Sequence, residues 1–216
     1  MSEPESLATD EGLEKHIRRH AYDRLLMLSD GIFAIAITLA ALEIKAPEGI
    51  HGFDALAQAM VRPIAAYLIS FAVIAVFWIS HRNLFARLRR VDGIVTGLTL
   101  AMLCLVSLIP AMLHGVYAPG GGAIPFRLYA LTMIACGVVN AAMWLYGAAR
   151  AGLMAPEVSW ADRWTRAAGT LIMPLLFVPI LVSPIDKFAG SVLPVTIALV
   201  LVRRVLLPRL FARLAR

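Results

Sequence analysis

The chain has 216 residues, of which 60% are hydrophobic and 16% charged, and carries a formal net charge of +6 with a mean hydropathy of +0.79. That balance excludes a soluble globular domain, whose helices need a polar face, and predicts a polytopic membrane protein. Membrane topology and anionic lipid account for the positive charge, so nucleic acid is not an expected partner.

Residues 1–23 are polar and charged and lack the apolar core and small-residue cleavage pattern of a removable signal peptide. They read as a cytoplasmic N-terminal arm. Runs of about 20 apolar residues then predict six transmembrane helices, at roughly 24–45, 63–84, 93–114, 126–149, 166–184 and 188–207, within an all-α domain over 24–207. A basic cytoplasmic tail follows over 208–216. Of the twenty lysines and arginines, sixteen fall in the arm, the loops after spans 2 and 4, the tail, or the span ends that adjoin them. Short loops rich in these residues stay inside, so both termini are expected to be cytoplasmic.

Span 1 is the most informative element, because Ser29 and Asp30 lie within its apolar run. An ionised carboxylate at the bilayer centre costs on the order of 2.5 to 3.5 kcal/mol, and Asp30 is about a turn and a half inside the edge. A partner is therefore expected, and Arg24, Ser29 and the end of span 2, with Trp78, His81 and Arg82, supply the candidates. At about 100° per residue, Ile35, Leu39 and Leu42 share one stripe with Thr38 on its edge, while Asp30 points about 140° away from Ile35. By geometry alone that stripe meets lipid or a neighbouring helix, and Asp30 belongs either to a structural network or to a proton relay.

The remaining spans carry no chemistry of their own. Cys104 and Cys136 sit singly in spans 3 and 4, which gives neither a disulfide framework nor a metal-ligand spacing. The histidines are scattered, and no HExxH, Walker or GxSxG pattern occurs, so neither an enzyme nor a cofactor or metal site is expected. Gly120 to Gly122 read as a flexible outer turn, since no pore helix or TVGYG-like sequence accompanies them. Span 5 holds Pro174, Pro179 and Pro184 and reads as a bent packing helix, although broken helices also line transporter sites.

The run R-x3-L-S-D-G-x-F-A-I-A-x-T-L beginning at Arg24 closely resembles the signature of the transmembrane protein 175 family, prokaryotic and lysosomal potassium channels without a P-loop filter. Tyr67 to Phe85, with its W-x-x-H-x-x-L-F ending, and Leu98 to Pro110 resemble that family's second and third spans. The resemblance implies a potassium-permeable channel of the prokaryotic cell membrane whose pore is lined by span 1. Ile35, Leu39 and Leu42 then match the aliphatic constriction and Thr38 a hydroxyl layer tied to potassium preference. Arg24, Ser29, Asp30, Trp78 and His81 match a polar network holding the helices together. Leu28, Ala40, Ala41 and Thr99 depart from the usual residues. Only one Ser-Asp-Gly signature is present, and a single stripe cannot enclose a pore, so identical subunits around a cyclic axis are expected; the resemblance implies four of them, a homotetramer. A secondary transporter, a proton-conducting channel and a membrane scaffold are the rival readings.

Overall fold

A computed structural model describes residues 3–45, 49–117, 123–182 and 207–214. They form the helices α1 (Glu3–Leu42), α2 (Phe53–Phe85), α3 (Gly93–Tyr117), α4 (Ala123–Ala149), α5 (Trp160–Thr170), α6 (Ile172–Val182) and α7 (Leu207–Leu214). Among the described residues, five stretches are long and apolar enough to cross a membrane: Arg19–Leu42, Phe53–Phe85, Gly93–Gly115, Ala123–Ala149 and Trp160–Leu181. They coincide with predicted spans 1 to 5. The predicted sixth span, apart from Leu207, lies outside the described residues, as do Gly120 to Gly122 and Pro184.

Helix α4 is the hub, packing against α2, α3, α5 and α6, while α1 lies against α2 and α3. Hydrophobicity alone does not join helices in lipid, where the solvent is as apolar as the side chains, so close backbone approach at small residues matters more. The buried residues of α4 include Ala130, Cys136, Gly137, Ala141, Gly147 and Ala148. At Gly137 the approach is tightest: a Cβ placed there would lie 2.6 Å from Pro174 Cδ and 2.8 Å from the Pro174 nitrogen.

Predicted span 5 is interrupted, and its break is local. Helix α5 ends at Thr170 and α6 starts at Ile172, with Leu171 between them. Pro174 has no N–H for the carbonyl four residues earlier and its ring crowds that carbonyl, so the break falls one turn before the proline. The Thr170 hydroxyl donates to the Ala167 carbonyl at 2.6 Å across the weakened turn.

Helix α1 starts at Glu3, well before the membrane, so the N-terminal arm continues the first span as one 40-residue helix.

The loops after α2 and α4 are laced together at one end of the bundle. The Arg89 N–H donates to Leu153 O at 2.9 Å and the Ala155 N–H to Arg87 O at 2.8 Å. Asp92 caps α3 there: its carboxylate accepts from the Val95 N–H at 2.9 Å and from the Tyr146 hydroxyl of α4 at 2.6 Å. Desolvation pushes the Asp92 carboxyl up, but the Tyr146 hydroxyl, the Val95 and Ile94 N–H groups and the Arg150 charge outweigh it and hold the group below its ordinary value of 3.8. A depressed carboxyl stabilises the fold fully above that ordinary value and loses its contribution as pH falls through the folded-state pKa. Asp92→Asn keeps the capping acceptor and removes the titration. Melting curves from pH 6 down to 3 should therefore fall less steeply for Asp92→Asn than for the parent.

Candidate pore-lining face and its ties to the bundle

Helix α1 divides into two faces at helical spacing. Leu25, Ser29, Phe33, Ala36 and Ala40 are buried against the rest of the chain. On the other side Ile35, Leu39 and Leu42 are 57%, 44% and 71% exposed, and Thr38 and Leu28 are exposed with them. The Thr38 hydroxyl donates to the carbonyls of Ala34 and Ile35, at 3.2 and 2.9 Å, and so satisfies its hydrogen within its own helix. Its oxygen stays on the exposed side, available as an acceptor.

Three cross-helix contacts hold this face in orientation. Near the start of the apolar run, the Tyr22 hydroxyl donates to the Phe85 carbonyl at 2.8 Å. One level deeper, the Trp78 indole Nε1 donates to Asp30 Oδ1 at 2.7 Å, and the Arg82 guanidinium stands over the Trp78 ring, 4.8 Å from its centroid. At the far end Glu43 meets His114 of α3 in an ion pair when the imidazole is protonated. Rotation of α1 about its axis would break all three.

The five residues expected to share a polar network take different places. Asp30 and Trp78 are brought together. Ser29 is fully buried and donates to the Leu25 carbonyl at 2.8 Å, a bond inside α1. His81 is buried with its ring stacked on Phe85, 4.3 Å between centroids, and tilted toward Phe33 at 5.9 Å. Both of its ring nitrogens are without a hydrogen-bond partner among the described residues. Arg24 is exposed beside a groove lined by Tyr22, Leu25, Leu28, Val91 and Thr96.

Sequence reasoning missed Tyr22, Phe33, Phe85 and the Glu43–His114 pair. Spacing held a partial signal, since His81 and Phe85 are four residues apart on α2 and therefore share a face. The sequence offered His81 as a partner of α1, but nothing in it paired Phe85 with that helix.

The Trp78 bond gives a direct test of the tie. Trp78→Phe leaves the Asp30 carboxylate without its donor, whereas Asp30→Asn keeps an acceptor oxygen. A hydrogen bond to a charged group contributes about 1.5 to 3 kcal/mol when buried, and the exposure of Asp30 reduces this to about 1 kcal/mol. Thermal unfolding in detergent should show a larger loss for Trp78→Phe than for Asp30→Asn. Equal melting points for parent and Trp78→Phe would remove the tie from the account.

Comparison with known proteins converges on the same segment. The family model described as endosomal/lysosomal potassium channel TMEM175 matches residues 24–110. A protein of Streptomyces collinus named as a potassium channel is 35% identical over 162 residues, which is 70% of this chain and 79% of its own length. Another of that name from Chamaesiphon minutus is 32% identical over 149 residues, 65% of this chain and 71% of its own. The crystal structure of a lysosomal potassium-selective channel TMEM175 homolog from Chamaesiphon minutus matches with a TM-score of 0.61 and 26% identity, over 91% of this chain and 99% of that one. With these similarities, five helices among the described residues long and apolar enough to span a membrane, and the Ser-Asp-Gly helix in place, this multi-pass membrane protein belongs to the TMEM175 family, a family of ion channels and not of enzymes.

Proposed function

We propose that the chain forms a passive, potassium-permeable cation channel in a prokaryotic cell membrane, with both termini cytoplasmic. Four copies surround the pore, and α1 of each lines it. The observation that carries this reading is the exposed row of Ile35, Thr38, Leu39 and Leu42, held outward by ties on the other sides of the same helix. One chain leaves that row uncovered, and a cyclic assembly turns four such rows toward one axis.

Rings of Ile35, Leu39 and Leu42 would narrow the path and strip part of the ion's hydration shell. Such a constriction has no carbonyl cage. Discrimination would rest on dehydration cost, for which potassium is favoured over the more tightly hydrated sodium, and on acceptor oxygens of the Thr38 layer. Asp30 and Trp78 would support the pore wall without touching the ion.

Reconstitution tests the proposal. Purified protein in liposomes under an outward potassium gradient should pass potassium faster than sodium, and flux should not saturate as carrier transport does. Well-folded assemblies that pass neither ion would sink the channel reading. Proton conduction through His81 is less well supported, because Phe33 and Phe85 enclose its ring.

A further inference from the structure

Helix α7, LPRLFARL, lies against α5 at the basic end of the bundle, where the Phe211 ring meets Trp160 at 5.9 Å. At about 100° per residue, Leu207, Leu210, Phe211 and Leu214 fall within an arc about 100° wide, with Arg213 about 60° beyond the Leu210 edge of that arc and Arg209 about 100° beyond it, on the polar face. Contact with α5 uses only part of the apolar arc. Leu207 and Phe211 are half-buried, while Leu210 and Leu214 remain 51% and 63% exposed.

The charges nearby show what the uncovered part faces. Asp162 of α5 is already shared by Arg166 at 2.7 Å and Arg87 at 3.4 Å. Arg209 and Arg213 are exposed and form no ion pair among the described residues. The flanking Trp160 is exposed and edges toward Trp164, and tryptophan is the residue type that concentrates at membrane–water boundaries. Just beyond, Leu171, Leu175 and Val178 present an exposed apolar strip on the α5–α6 unit.

From these features we infer that α7 is an interfacial helix that docks on anionic phospholipid. Leu210 and Leu214 enter the acyl boundary, and the Arg213 and Arg209 guanidinium groups, on the polar side next to the Leu210 edge, snorkel to lipid phosphates. Basic residues at an anionic surface add electrostatic attraction to the apolar burial of the two leucines. The helix would thereby fix the end of α5 against the bilayer.

The test uses the full chain in detergent, titrated with phosphatidylglycerol or phosphatidylcholine, and reads melting temperature and elution volume. Phosphatidylglycerol should raise the melting temperature of the parent more than phosphatidylcholine. The double variant Arg209→Gln/Arg213→Gln should lose roughly half or more of that difference, and Arg89→Gln/Arg90→Gln, at exposed positions of the same end, should keep most of it. Leu210→Ser/Leu214→Ser should reduce the response to both lipids while eluting as the parent does. Equal losses for the two arginine pairs would mean bulk surface charge and overturn the inference. A smaller assembly for the leucine variant would overturn it by making this face a contact between copies of the chain.

Discussion

Ile35→Ala/Leu39→Ala is expected to raise cation flux several-fold and to bring the potassium-to-sodium permeability ratio close to one. Both side chains are exposed in the single chain, so their truncation leaves no cavity in the subunit core and should change its melting temperature little. In the proposed assembly the change would be repeated in every copy and would widen the path at two successive rings. An ion that passes with its hydration shell largely intact no longer experiences the difference in dehydration cost on which discrimination depends. Planar-bilayer recordings under bi-ionic conditions read both quantities at once. Parent-like conductance and selectivity in the double variant would remove α1 from the pore wall, whatever the fate of the channel assignment.

The largest loss of stability is expected from Gly137→Leu. Even the Cβ of alanine would lie 2.6 Å from Pro174 Cδ and 2.8 Å from the Pro174 nitrogen, and a backbone atom cannot turn aside as a flexible side-chain end can. Overpacking of a tight core costs about 1 to 3 kcal/mol, which is the range expected for Gly137→Ala. Leucine adds a branched side chain at a contact already below van der Waals distance, so α6 must move away from α4. Yield of monodisperse protein and melting temperature should fall in the order parent, alanine variant, leucine variant. Pro174→Ala combined with Gly137→Ala should recover part of the loss, because the ring carbons go while the backbone nitrogen stays. Losses that simply add would show that the two residues do not couple.

Much of the architecture was legible because lipid imposes a simple rule on sequence. Each apolar run of about 20 residues had to become a helix, since no other single segment satisfies its own backbone in a bilayer. Arg24 to Leu42 and Gly93 to Gly115 followed that rule directly. The exposed stripe of α1 was legible from periodicity as well, as Ile35, Leu39 and Leu42 recur with the helical turn. Proline marked span 5 as bent.

The tertiary structure decided what distance in sequence hid. Ser29 stands beside Asp30 in the chain, yet it turns back to the Leu25 carbonyl, because a short hydroxyl on a helix reaches the preceding turn more easily than its sequence neighbour. Of the candidate partners that the sequence offered for Asp30, the fold selects Trp78, 48 residues away, through its indole N–H. Gly137 was one small residue among many until Pro174 was placed against it. Sequence by itself determined which segments enter the membrane and which side chains share a face, because both follow from local hydrophobicity and a fixed helical repeat. Only the packed helices decided which faces are covered, since that depends on contacts between residues whose separation along the chain carries no periodic signal.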